Sequence, residues 1–136
     1  GGRAVWISNM LCRMFAVAAV ADHVAPWRSV YKLHLQSDSA ELTFALTSGG
    51  HNAGIVNEPG HPRRSFQLSV CREGERFLDA ETWKERTPKF EGSWWPVWQE
   101  WLVRHSSGSE AAPPMGAPEK GYTALCDAPG TYIFQQ

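Results

Sequence analysis

Met14-Phe-Ala-Val-Ala-Ala-Val-Ala-Asp22 runs apolar without alternation and stops at a carboxylate. A half-exposed strand alternates apolar and polar residues, whereas a strand covered on both faces of a parallel sheet does not. The run is therefore read as a buried strand, although its alanine content leaves a helix open. Ala25-Pro26-Trp27 then opens a helix to about Leu35, with proline in the first turn and Trp27, Val30 and Leu33 as the apolar stripe. Ser37-Asp-Ser39 is a turn, and Glu41-Leu-Thr-Phe-Ala-Leu46 carries the alternation and residue types of a second strand. Strand, helix, strand makes a parallel βαβ unit with a right-handed crossover, so the expected fold class is α/β.

That topology has a chemical consequence. Asp22 follows the carboxyl end of the first strand, and His51 lies in the turn Ser48-Gly-Gly-His-Asn-Ala-Gly54 after the second. Parallel sheets bind ligands at that edge. An acid and an imidazole are thus expected on one side of the domain, and the glycines at 49, 50 and 54 permit the tight backbone needed to aim a ring. The pattern is neither G-x-G-x-x-G nor a P-loop.

Further along, Phe66–Cys71 reads as a short peripheral strand and Asp79 as the N-cap of a helix. Trp95, Trp98, Trp101 and Leu102 share one helical face, and core packing of a peripheral helix is the expected role of that stripe. Ser106 to Gly121 is rich in Ser, Pro, Gly and Ala. It divides a body, residues 1–105, from a linker and C-terminal arm, residues 106–136.

Composition excludes several functions. Thirteen basic residues against 14 acidic ones give no polyanion-binding field, so nucleic acid is not expected as a partner. No run approaches the roughly 20 apolar residues of a membrane span. Arg13 interrupts the first apolar segment and no basic region precedes it, unlike a secretory signal. Three cysteines without a short CxxC spacing suit a reducing cytoplasm rather than a disulfide framework. His51 and His61 are not spaced as recognised metal ligands, and no metal or cofactor is expected. Gly1-Gly-Arg-Ala4 lacks an initiator methionine and reads as the interior of a longer chain.

Asp22-His-Val-Ala-Pro-Trp27, Ser48-Gly-Gly-His-Asn-Ala-Gly-Ile-Val56, Gly92-Ser-Trp-Trp-Pro96 and Ala128-Pro-Gly-Thr-Tyr132 together resemble the C-terminal catalytic region of polyhydroxyalkanoate synthases. The resemblance implies the C-terminal part of an α/β-hydrolase fold: an incomplete parallel sheet, flanking helices and a Trp-rich C-terminal helix. It also implies an acyltransferase that polymerises (R)-3-hydroxyacyl-coenzyme A into polyester and releases coenzyme A through a Cys–His–Asp triad. Asp22 matches the acid and His51 the histidine. The nucleophilic cysteine of such enzymes stands in a G-x-C-x-G turn, which Cys12, Cys71 and Cys126 all lack. The chain alone is therefore expected to be inactive. A cytoplasmic, granule-associated homodimer of the full-length enzyme is implied as well, with the growing polyester as a partner.

Two other functions remain open. An esterase or polyester depolymerase would use the same acid and histidine with water as acceptor, and a non-catalytic granule-associated remnant would use neither. Taken singly, Asp22 reads as a turn or capping residue and His51 as a loop histidine. His23 reads as locally bonded or solvent-facing, and His34, His61 and His105 read as surface histidines. Arg63-Arg64 reads as a solvated pair, with contact to coenzyme A phosphates as the alternative.

Overall fold

The computed structural model describes Ala4 and residues 6–135; the opening Gly1–Arg3, read above as the interior of a longer chain, lies outside the described residues. The chain forms two compact units, Gly1–His105 and Ser106–Gln136. The first is α/β and holds β1 (Met14–Ala19), α1 (Trp27–Tyr31), α2 (Leu33–Gln36), β2 (Glu41–Thr47), β3 (Ser65–Arg72), α3 (Ala80–Arg86), β4 (Lys89–Glu91) and α4 (Trp95–Arg104). The second is largely exposed, with short 3₁₀ turns at Pro118–Lys120 and Tyr132–Phe134.

The four strands form one sheet in the order β1-β2-β3-β4. β1 and β2 are parallel, in register from Met14 opposite Leu42 to Ala19 opposite Thr47. Beyond β2 the expectation of a purely parallel sheet fails, because β3 and β4 are both antiparallel to their neighbours. The reason lies in residues 48–64, which form turns and no helix. A parallel return needs a crossover over a sheet face, and a connection that stays at one end brings the next strand back antiparallel. Nor is β3 peripheral along its whole length: Ser65–Gln67 pairs with β4, a strand that the sequence reading missed.

Both faces of β2 are covered, as its unbroken burial from Leu42 to Thr47 requires. On one face Phe44, fully buried, takes the edges of Tyr31 at 5.2 Å and Trp83 at 5.1 Å. Ala16, Ala18, Leu42, Leu46 and Trp27 complete that cluster. Burying a side chain such as Phe44 stabilises the fold by about 1.5–3 kcal/mol. On the opposite face Phe15 stacks on Trp94 at 6.1 Å and meets Trp101 edge-on at 5.8 Å. The expected core face of the Trp helix is correspondingly thinner: no residue of α4 is fully buried, and Trp94, its N-cap, is the aromatic that reaches the interior.

The single helix expected from Pro26 to Leu35 is interrupted at Lys32. The His34 ring nitrogen Nδ1 lies 2.9 Å from the Tyr31 carbonyl, while the Leu35 amide bonds one residue short, to Lys32. A side chain competing for a helical carbonyl is a known way to tighten a turn. His34 is consequently not a surface histidine: its ring lies against Tyr31 at 4.2 Å and Phe44 at 5.5 Å, and burial lowers its pKa. Asp79 caps α3 as read, accepting the Thr82 amide at 3.0 Å.

Tyr31 is 3% exposed and donates its hydroxyl to the Leu78 carbonyl at 3.0 Å. Burial chiefly, with smaller contributions from Cys71 and Asp79, pushes its pKa up to about 12. The folded state therefore holds a proton that the unfolded chain gives up from its ordinary value of 10.0. Stability is complete below that value and falls as pH rises toward 12. Tyr31→Phe is expected to cost about 1 kcal/mol at neutral pH in urea unfolding. It should also flatten the alkaline loss of stability, and equal alkaline slopes for parent and variant would contradict this assignment.

Candidate active site

The carboxyl ends of β1 and β2 do not separate where the strands end. The Val20 amide donates to the Thr47 carbonyl and the Ala21 amide to the Gly49 carbonyl, each at 2.9 Å, so the ladder continues into the two loops. Asp22 comes next on one side and the His51 turn on the other.

The structure brings these two side chains into contact. His51 Nδ1 lies 2.9 Å from Asp22 Oδ2. The other carboxylate oxygen, Oδ1, accepts the amides of Val24 at 2.8 Å and Ala25 at 2.9 Å. Asp22 is thus a turn-capping residue and an imidazole partner at once, one role for each oxygen. These bonds hold its carboxyl below the usual carboxylate range, the Ala25 amide contributing most and the His51 ring next. Hydrogen bonds to the ionised form favour ionisation. The Asp22 side chain is 7% exposed, whereas that of His51 is 49% exposed. An anionic Asp22 fixes the imidazole with its proton on Nδ1, so Nε2 is the nitrogen left to take or give a proton.

The His51 turn packs tightly on the strand end. Gly49 has φ +104, and Gly54 donates its amide to the Gly50 carbonyl at 2.8 Å. A Cβ at Gly54 would stand 2.4 Å from Ala19 Cβ and 2.8 Å from Gly50 O. Only glycine allows this approach. The turn ends at Asn57, fully buried, whose amide donates to Thr47 Oγ1 at 3.0 Å. Ser48 completes the seat by accepting the Ser65 amide on its hydroxyl at 3.0 Å. Sequence reasoning placed Ser48 in the turn without a role of its own and passed over Asn57; a buried amide in a polar loop leaves no period to read.

A cavity of about 300 Å³ opens at the same strand ends, lined by Val20, Ala21, Leu46, Gly49 and Phe66 with Lys84 and Lys89; neither Asp22 nor His51 lines it. Ala21 immediately precedes Asp22, and Gly49 belongs to the His51 turn. Two of the cysteines stay apart from it. Cys71 pairs with Leu42 and Cys12 precedes Met14, so both mark the amino end of β2. That end is about 16 Å along the strand from Thr47. Burial raises the Cys71 pKa, the opposite of an activated thiol. His61 Nδ1 lies 2.8 Å from the Pro62 carbonyl, and His105 Nδ1 lies 2.7 Å from that of Trp101, with its ring against Trp101. Arg63 adopts φ 60, and Arg64 is partly buried rather than solvated, its Nε without a partner among the described residues. No group of three His, Cys, Asp or Glu that could hold a metal ion occurs among the described residues. None of the described helices is long and apolar enough to cross a membrane.

Fold and site together define an α/β protein with an acid–imidazole pair at the carboxyl edge of its parallel strands. Comparison with known proteins then assigns the family. The chain is 32% identical over 136 residues, 99% of its length, to poly(3-hydroxyalkanoate) polymerase 1 of Ectopseudomonas oleovorans. It is 33% identical over 132 residues to the poly(3-hydroxyalkanoate) polymerase subunit PhaC of Rhizobium meliloti, and 30% over 112 residues to that of Cupriavidus necator. No family model matches the chain. By sequence it belongs to the poly(3-hydroxyalkanoate) polymerases, and it spans about a fifth of the length of the curated relatives it matches: 23%, 20% and 18% of these three.

Gly54→Ala is expected to displace the turn and cost about 1–3 kcal/mol, the usual range for overpacking. Gly50→Ala, outside the left-handed region like Gly54 and with only the Ala21 carbonyl at 3.6 Å from its Cβ, serves as a control for losing a glycine of the turn without overpacking. Imidazole NMR should show the His51 contact to Asp22 lost in the first variant and retained in the second. Retention in both would mean that the close approach at Gly54 does not hold the histidine.

Proposed function

We propose that this chain supplies the general base and its orienting acid to a poly(3-hydroxyalkanoate) polymerase, within the C-terminal part of an α/β-hydrolase-type catalytic domain. The single observation that carries the proposal is the 2.9 Å contact between His51 Nδ1 and Asp22 Oδ2, made while Oδ1 is occupied by backbone amides. A carboxylate tied down on one oxygen holds the ring's tautomer and orientation with the other, which is the role of the acid in a nucleophile–His–acid triad.

In this reading His51 Nε2 takes the proton of a cysteine thiol contributed from outside these 136 residues. The thiolate attacks the thioester carbonyl of an (R)-3-hydroxyacyl-coenzyme A. The carbon–sulfur bond to coenzyme A breaks, and the leaving thiolate recovers the proton from the imidazolium. The acyl group is left on the enzyme as a thioester. In elongation the 3-hydroxyl of the next unit loses its proton to the same base and attacks that acyl group; one ester bond forms as the acyl–cysteine thioester breaks, and the departing cysteine thiolate takes the proton back from the imidazolium. Asp22 stabilises the imidazolium in both steps. The apolar side of the cavity, Val20, Leu46 and Phe66, suits an acyl chain, and the Lys84 and Lys89 ammonium groups suit its anionic carrier. The same reading makes the complete enzyme a cytoplasmic homodimer that works at the surface of its own polyester granule.

The test is a chimera in which this chain replaces its matching segment in the Ectopseudomonas oleovorans polymerase. Coenzyme A release and polymer formation are expected, and His51→Ala or Asp22→Asn should lower kcat by roughly 10²–10⁴-fold without unfolding. The isolated chain should release no coenzyme A. Undiminished turnover in the His51→Ala chimera, or brisk release by the chain alone, would defeat the proposal. Free hydroxy acid in place of polymer would reassign it to ester hydrolysis.

A further inference from the structure

Ser93, Trp94 and Trp95 stand just before and at the start of α4, and all three donate hydrogen bonds into the backbone that follows His51. Trp94 Nε1 donates to the Gly54 carbonyl at 3.1 Å, and Trp95 Nε1 donates to the Ile55 carbonyl at 2.9 Å. The Ser93 hydroxyl donates to the Asn57 carbonyl and accepts the Trp95 amide at 3.0 Å. Trp94 also stacks its ring on Phe15 of β1, the strand that leads to Asp22. One indole therefore touches the strand of the acid with its face and the loop of the base with its N–H. Packing alone would not need three donors aimed at carbonyls 54, 55 and 57.

We infer that Ser93, Trp94 and Trp95 are positioning residues for His51, a clamp that sets the imidazole turn against the strand carrying Asp22. The carbonyls they satisfy belong to a turn with little regular structure of its own. Indole donors suit the task because a rigid ring fixed on Phe15 leaves its N–H little freedom to follow a drifting loop. Trp94 is 5% exposed, so its bond to Gly54 is shielded from competing water. Loss of that donor strands a carbonyl inside the fold and frees the turn to seek solvent.

This inference rests on the reading of His51 as the base only for its catalytic consequence; the clamp itself is tested on the 136-residue chain without any substrate. Trp→Phe removes the N–H and keeps an aromatic ring. In W94F/W95F, hydrogen exchange at the Gly54 and Val56 amides should rise by roughly tenfold or more, the loss of one hydrogen bond or more. Amides of β2 should keep their protection, and the NMR signature of His51 Nδ1–H bonded to Asp22 should fade. Ser93→Ala should give a smaller rise at the same amides, with Ser93→Thr restoring the parent values; this pair decides the matter should the double Trp variant fail to fold. Unchanged loop exchange and an intact His51 signal in a folded variant would overturn the inference. An equal rise across β2 would also overturn it, by showing general stability instead of positioning. In the chimera, W94F/W95F should lower kcat by roughly ten- to a hundredfold with KM little changed, the mark of a misaimed group. If His51→Ala leaves turnover intact while the clamp variants still free the loop, the catalytic reading fails and the clamp stands.

Discussion

Two backbone hydrogen bonds past the end of the sheet, Val20 to Thr47 and Ala21 to Gly49, are the constraint on which the rest depends. Parallel strands deliver their carboxyl ends to one edge, but the connections there usually diverge at once. Here the ladder outlives the strands, so the residues after it start from a fixed separation. Asp22 and His51 need only short local turns to meet. Were β2 antiparallel to β1, the histidine turn would emerge at the opposite edge, and no adjustment of side chains could recover the pair.

Much of this was legible in the chain. The unalternating Met14–Ala21 run showed the first strand, because burial on both faces leaves a direct compositional trace, whereas Glu41–Leu46 was legible by its alternation, although the fold buries both of its faces. Asp22 and His51 were legible as strand-end residues for these reasons. Their contact was implied by the family resemblance and not by periodicity, since it is made by turns whose geometry depends on Ala19 meeting Gly54, a tertiary approach with no period in the sequence. The alanines of β1 could be read only as ambiguous propensity; in the fold, the small side chain of Ala19 lets the histidine turn lie directly on the strand. The antiparallel return of β3 escaped notice because residues 48–64 look like a loop whichever way the next strand points. The break at Lys32 escaped because a histidine competing for a carbonyl overrides a helical stripe that is otherwise sound.

The aromatic segment shows how one spacing can carry two meanings. Trp95, Trp98 and Trp101 fall on one helical face, which predicts burial, yet most of the helix is exposed and Trp95 and Trp101 are only partly covered. The interior position goes to Trp94, which breaks the spacing. Its neighbour Trp95 is only partly buried and uses the polar corner of its ring on the Ile55 carbonyl. An indole offers both an apolar plane and a donor, and periodicity reads only the plane.

The two halves of the acid–imidazole pair differ in how far along the polypeptide their supports lie. Asp22 is secured by amides two and three residues away. The turn bearing His51 is secured by groups 36 to 40 residues downstream, and the imidazole meets its partner across 29. Closing long loops carries an entropy that local turns escape, growing by about 0.6 kcal/mol for each doubling of length. The carboxylate therefore answers to the tripeptide that follows it, while the ring answers to a span reaching from the second strand to the last helix. Sequence drift anywhere in that span can reach the histidine without touching the aspartate.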